Sequence, residues 1–345
     1  MEHPDLPLLA LTQGDPAGIG PEVIARLYRE ARHELDGCFV AGSPNVIRRA
    51  LGFVAPGARH DDAAVVEITS PAQALQVAAP AIPVLPTGAA AGLPVIGRVD
   101  AAAGRMAADA VRWAARAALC GEIAGVVTAP LHKESLAAAG EPFPGHTELL
   151  QAEAALHLGR PLDEVPVRMM LANDELRTVL LSIHVSLRDA LAAVTPANLA
   201  GTLSITHHAL LPLLGRAPRI AVAGLNPHAG EGGLFGQEEI EVIAPAVVAA
   251  RLAGFDAHGP FAPDTVFMRA RRGEFDVVIA MYHDQGLIPV KYLGVEHGVN
   301  VTLGLPLVRT SPDHGTAFDI AGTGRADPAS MLAAVRMARR LAARS

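Results

Sequence analysis

Short apolar runs recur along the chain and give way to Gly, Pro, Asn or His: LPLLALT, CFVAGS, AVVEIT, IAGVVTAP, VRMMLA, RTVLLSIH, RIAVAGLN and VVIAMYH. Their length and near-continuous hydrophobicity predict strands covered on both faces. Between several of them lie amphipathic stretches, among them PEVIARLYREARHEL, AAAGRMAADAVRWAARAAL, PANLAGTLSITHHALLPLL and EEIEVIAPAVVAARLAG, which predict helices. Strands alternating with helices build βαβ units, so the expected fold class is α/β with mostly parallel sheets. Two Pro/Gly-rich stretches, VTAPLHKESLAAAGEPFPGHTE and GFDAHGPFAPDTVF, look like hinges. They divide the chain into an expected middle domain, 131–258, and a second domain made of 1–130 plus 259–345. No internal repeat at a fixed period is visible.

Composition narrows the function classes. Half the residues are hydrophobic and 18% are charged, which suits a large core. A net charge of -7 argues against a nucleic-acid surface or an anionic membrane as partner. No run approaches the roughly 18 apolar residues of a membrane span, and the start, MEHPDLPLLALTQGD, lacks the basic and apolar regions of a secretory signal. Two cysteines, Cys38 and Cys120, with no CxxC, suit a reducing, cytoplasmic compartment.

Ligands of open parallel sheets bind beyond the carboxyl ends of the strands, so histidines at strand exits carry weight. Three of the fourteen histidines sit there: His184 in LLSIHVSLRD, His228 in AGLNPHAGEGG and His283 in IAMYHDQG. Three imidazoles with an open fourth position make a catalytic divalent-metal arrangement. Zn2+ fits that set, and Co2+ or another divalent ion would also be accepted. Taken singly, each histidine also reads as a hydrogen-bonded turn residue, and the spacing matches no local metal motif. Asp284 and Glu231 are the candidate partners behind the ligands.

Anion-binding features lie elsewhere. TQGDPAGIGPEV follows the first strand and opens a helix with Pro21 and Glu22; its glycines shape a turn or touch a ligand, and its spacing is neither GxGxxG nor a Walker loop. PGHTELL puts His146 and Thr147 at an expected helix N-terminus, where backbone amides favour an anion. Lys291, Asn300 and Arg309 stand near Gly-rich turns in apolar surroundings, a setting for phosphate or carboxylate recognition. The stretch DHGTAFDIAGTGRADP offers a nucleotide-binding loop, with candidates His314, Gly315, Thr316, Asp319, Gly322, Gly324 and Asp327.

Taken together, TQGDPAGIGPE, TAPLHKESL, PGHTELL, GLNPHAGEGG, GPFAPDTVF, YHDQGLIPVKYLG and VNVTLGLPLVRTSPDHGTAFDIAGTG resemble the 4-hydroxythreonine-4-phosphate dehydrogenase family of vitamin B6 (pyridoxal phosphate) biosynthesis over nearly the whole chain. GDPAGIGPE and HGTAFDIAGTGRADP are also distantly similar to the isocitrate and isopropylmalate dehydrogenases, which bind NAD(P) without a standard Rossmann motif. The resemblance implies two α/β/α domains with the active site in the cleft between them. It also implies a homodimer whose sites are shared, with His283 meeting His184 and His228 of the other copy. Carried over by position, the metal ligands are His184, His228 and His283, and the substrate residues are His146, Thr147, Lys291, Asn300 and Arg309. The implied cofactors are NAD or NADP and a divalent metal, Zn2+ before Mg2+ or Co2+.

The implied reaction is oxidation of 4-phosphohydroxy-L-threonine and loss of CO2 from the resulting β-keto acid, giving 3-amino-2-oxopropyl phosphate. Lys291 is the candidate base, with phosphate pairing as its competing role. Similar enzymes act on D-erythronate or D-threonate 4-phosphate, and another branch oxidises a dihydrodiol dicarboxylate. His146 and Arg309 favour a phosphorylated substrate. A non-catalytic phosphate-ligand binding protein is the reading from a different class, and it leaves the three strand-end histidines without a purpose.

Overall fold

The computed structural model describes residues 6–54, 64–89, 92–294 and 297–343. Its strands run in chain order as β1 (Leu9–Thr12), β2 (Cys38–Gly42), β3 (Val65–Glu67), β4 (Ile82–Pro86), β5 (Gly125–Thr128) and β6 (Arg168–Ala172). They continue as β7 (Arg177–Leu180), β8 (Ile220–Ala223), β9 (Ala257–Phe261), β10 (Val277–Ala280), β11 (Val299–Leu303) and β12 (Arg309–Pro312). The helices are α1 (Gly20–Glu30), α2 (Pro44–Val54), α3 (Ala101–Leu119), α4 (Lys133–Ala138), α5 (His146–Leu158), α6 (Leu187–Ala192), α7 (Pro196–Leu214), α8 (Ala244–Leu252), α9 (Pro263–Arg271), α10 (His283–Tyr292) and α11 (Ala329–Ala342).

Two compact units emerge from the packing: one up to Val165 and again from Leu305 to Ala343, the other Pro166–Gly304. In the first, the strand order is β3-β4-β2-β1-β5-β12 and every pairing is parallel. In the second it is β11-β6-β7-β10-β8-β9, parallel from β7 onward, with β6 antiparallel to both its neighbours. All four residues of β1, β5, β8 and β10 are buried, as expected of strands covered on both faces. Helix starts follow local chemistry: Asp100 accepts from the Ala102 amide ahead of α3, and Thr195 from the Asn198 amide ahead of α7.

The eight expected strands are present, and the fold class is α/β with mostly parallel pairing. Four further strands lacked a readable signal. β4 carries Pro83 and Pro86, which demote a strand pattern. β9 is AHGPF, while β11 and β12 interrupt their apolar positions with Asn, Thr, Arg and Ser.

The boundaries expected at 130/131 and 258/259 are not where the packing divides the chain. Residues 131–165 belong with the first unit because α4 and α5 pack on α3: Leu136, Leu149 and Leu150 share a core with Ala108, Val111 and Ala115. A side chain at Gly104 of α3 would meet the Ser135 carbonyl oxygen at 2.0 Å, so the helices approach closely only through a glycine. Residues 259–304 stay with the second unit because β10 pairs with both β7 and β8, and α9 and α10 cover them around Val266, Phe267, Leu287 and Val290. No described helix is long and apolar enough to cross a membrane.

Candidate active site

In the first unit, β5 and β12 lie side by side and bring Arg309 and Thr128 together. Arg309, the first residue of β12, is 3% exposed, and it donates to the Thr128 hydroxyl through Nε at 3.2 Å and Nη2 at 2.8 Å. Burial lowers the guanidinium pKa to about 10, partly offset by the charge of Glu148, so the group remains a cation at neutral pH. Helix α5 begins at His146, after Gly145, which places His146 and Thr147 in its first turn. Gly145 rather than Thr147 occupies the cap. The Nε2 atom of His146 is shielded from solvent and has no hydrogen-bond partner among the described residues. Burial and the Arg309 charge hold this imidazole well below its ordinary pKa, against a bond with the Ala129 backbone, so it is neutral at pH 7. An orphaned buried nitrogen beside a buried cation is a feature that a ligand would satisfy.

The TQGDPAGIGPE turn and the 314–327 loop hold each other. The Ile19 amide donates to the Thr316 carbonyl at 3.0 Å, and a side chain at Gly18 would meet Thr316 at 2.9 Å. Gly14 has φ +72, and a Cβ there would stand 2.4 Å from the Pro130 carbonyl oxygen. These glycines are thus accounted for by turn geometry and close packing. Glu22, 2% exposed in the first turn of α1, accepts from the amides of Gly322 and of Gly324, the latter at 2.8 Å. A carboxylate of the same chain thus occupies the amides of Gly322 and Gly324. Asp327 accepts from the Ala329 amide at 2.8 Å and serves the start of α11. Of the loop candidates, Gly315 and Asp319 are exposed and His314 is half-buried.

In the second unit, the rings of His184 and His283 lie 5.6 Å apart, so these two meet within one chain. His283 is the first residue of α10, and its Nδ1 pairs with Asp284 Oδ1 at 2.7 Å, the carboxylate backing expected of a metal-ligating imidazole. His228 is exposed, with its ring 6.4 Å from that of Phe235. It opens a left-handed stretch, with φ 51 at His228, 52 at Ala229, 80 at Gly230, 44 at Glu231 and 66 at Gly232. Left-handed backbone costs about 1–2 kcal/mol at each non-glycine residue and is kept where the surroundings enforce it. Among the described residues, no group of three or more His, Cys, Asp or Glu side chains is placed to hold a metal ion. The donor chemistry of His184 and His283 suits a divalent cation, and the expected third member is not gathered with them. Asn300 lies half-buried on β11, and Lys291 is in the last turn of α10.

Two residues to which the sequence reading assigned no role organise this region. Glu239, 3% exposed, accepts from the amides of Leu225 and Asn226, both at 2.7 Å, and from Asn226 Nδ2 at 2.9 Å, which pins the backbone just before His228. Gln285 donates to the Gly224 carbonyl at 2.8 Å and accepts from the Met281 amide at 2.7 Å, tying the exit of β8 to that of β10. Their partners are distant in sequence, so the local pattern gives neither residue a role.

The chain is similar to known proteins along nearly all its length. The family model described as pyridoxal phosphate biosynthetic protein PdxA matches residues 34–338. A 4-hydroxythreonine-4-phosphate dehydrogenase of Beijerinckia indica is 51% identical, covering 99% of this chain and 96% of the relative. A D-threonate 4-phosphate dehydrogenase of Salmonella typhimurium is 42% identical, covering 97% and 98%. The crystal structure of 4-hydroxythreonine-4-phosphate dehydrogenase from Klebsiella pneumoniae superposes with a TM-score of 0.85 at 41% identity, covering 97% of this chain and 99% of the other. With matched motifs, coverage and fold in agreement, this chain belongs to the PdxA family of pyridoxal phosphate biosynthetic proteins.

Proposed function

We propose that this chain is a metal-dependent, NAD(P)-linked dehydrogenase that oxidises 4-phosphohydroxy-L-threonine and decarboxylates it to 3-amino-2-oxopropyl phosphate, for pyridoxal phosphate synthesis. The observation that carries a phosphorylated substrate is the buried Arg309 cation beside the shielded, unpartnered nitrogen of His146. At neutral pH Arg309 supplies fixed positive charge, and the first turn of α5 adds backbone amides and Thr147. His184 and His283, with His228 as the third member, would hold the divalent metal, Zn2+ before Mg2+ or Co2+. Asp284 orients the His283 imidazole so that its other nitrogen is the donor. A metal bound there would polarise the substrate hydroxyl and the ketone that replaces it, while a nicotinamide would take the hydride. Lys291 lies eight residues after His283 on α10, about 12 Å along the helix axis, which suits contact with a different part of the substrate from the metal-bound hydroxyl. Asn300 would add a polar contact, and His314, Gly315 and Asp319 would meet the nucleotide.

A homodimer fits the large apolar residues exposed on the second unit, among them Leu234 at 73%, Leu252 at 85% and Ile288 at 63% exposure. The second substrate reading is a sugar-acid phosphate, D-threonate or D-erythronate 4-phosphate, and similarity to the Salmonella enzyme supports the D-threonate member. The metal reading is tested by His228→Ala, measured for bound metal, turnover and circular dichroism. Loss of metal and most activity with an unchanged spectrum is expected; a variant that keeps both metal and turnover would remove the three-histidine site.

A further inference from the structure

Arg309 does not stand alone in the strand ends. Its neighbour Thr128 closes β5, is fully buried, and lies one strand away, where β5 and β12 run parallel with Arg309 opposite Val126 and Thr310 opposite Val127. The Thr128 hydroxyl takes both the Nε and the Nη2 hydrogens of the guanidinium. Two bonds from one edge of a planar fork to one oxygen fix the plane as well as the position of the group. A hydroxyl does this without neutralising the charge, whereas a carboxylate in the same place would consume it. Thr128 is itself held by the backbone ladder, since β5 is paired on its other side to β1 with Thr12 opposite Thr128.

We propose that Thr128 is a positioning residue that aims the Arg309 guanidinium and thereby sets the affinity of the site for the substrate's phosphate group. This rests on the reading that Arg309 meets that phosphate. Thr128 acts through Arg309, whose guanidinium its hydroxyl holds, so its loss should weaken binding of the phosphate in ground state and transition state alike.

The test compares Thr128→Val, Thr128→Ser and Arg309→Lys in the full-length, metal-loaded enzyme. It measures KM and kcat for the phosphorylated substrate, the inhibition constant of inorganic phosphate, and the melting temperature. Thr128→Val keeps the shape and removes the acceptor; it should raise KM and the phosphate inhibition constant about tenfold each while kcat stays within about twofold. Thr128→Ser should restore both constants to near the parent values. Unchanged constants in Thr128→Val, alongside a raised KM in Arg309→Lys, would overturn the positioning role and leave the phosphate reading standing. Equal damage in the Val and Ser variants, with kcat and melting temperature falling together, would mean that Thr128 acts only in packing. If Arg309→Lys also leaves both constants unchanged, the phosphate reading fails and the positioning role falls with it.

Discussion

Asp276 precedes β10 and joins its start to that of β8, so its removal should be felt at the entrances of both strands. The carboxylate accepts from Arg216 Nη1 and Nη2 at 2.7 and 2.8 Å and from Arg219 N, Nε and Nη2 at 2.8, 3.2 and 2.9 Å. The Asp276 side chain is 9% exposed, while those of Arg216 and Arg219 are 50% and 38% exposed, so solvent weakens the ion pairs. Counting about 0.5 kcal/mol for each screened arginine pair and about 1–1.5 kcal/mol for the backbone amide donated to a buried charge, Asp276→Asn should cost about 2 kcal/mol. For a unit of this size that is a fall of about 4–8 °C in melting temperature at pH 7. The sign with pH follows from the depressed carboxyl. Burial opposes ionisation, but the hydrogen bonds from Arg216 and Arg219 outweigh it and hold the group well below the ordinary carboxylate range. The contribution is therefore fully present above about pH 4, the unfolded value, and is lost as pH falls below it. Melting curves of both proteins from neutral to acid pH check this: the deficit of the variant should be constant above pH 4 and shrink below. A melting temperature within about 1 °C of the parent at pH 7, or a deficit independent of pH, would refute the reasoning.

Two further outcomes follow from the first unit. Burial pushes the Cys38 thiol up to about 11, with Arg339 Nη2 3.5 Å from its sulfur, whereas Cys120 is exposed; a thiol reagent at pH 8 should label one cysteine per folded chain quickly and both only after denaturation. Gly14→Ala should destabilise the chain by about 3 kcal/mol or more, since it adds a left-handed alanine to a contact of 2.4 Å with Pro130; denaturant titration with no shift in midpoint would contradict the packing explanation of that glycine.

How far the sequence could be read differs by element and by kind of residue. Strands such as IAVA and VVIA announced themselves because burial on both faces leaves an unbroken apolar run. β4 and β12 did not, because Pro83, Arg309 and Ser311 are buried by neighbours that the local pattern cannot name. The Pro/Gly-rich stretch after β5 looked like a hinge, yet α4 and α5 within and after it are fastened to α3 by contacts remote in sequence. At the candidate site, His146 and Arg309 were visible as residue types at strand and helix ends. The roles of Glu22, Glu239, Gln285 and Thr128 were not, since each acts by holding backbone or side chains that only the fold brings near. The glycines after His228 serve a left-handed turn that the apolar and polar pattern does not announce.

The central claim is metal-dependent oxidation of a phosphorylated hydroxy acid, and turnover followed by NAD(P)H absorbance tests it most directly. The enzyme is offered 4-phosphohydroxy-L-threonine, D-erythronate 4-phosphate and D-threonate 4-phosphate side by side, with and without chelator. The account predicts that 4-phosphohydroxy-L-threonine leads by roughly 100-fold in kcat/KM, about 2.7 kcal/mol in transition-state binding, and that chelator abolishes turnover until a divalent metal is restored. A lead of that size for a sugar-acid phosphate would move the assignment to the second reading, and absence of turnover with all three, metal and both nucleotides supplied, would contradict the claim.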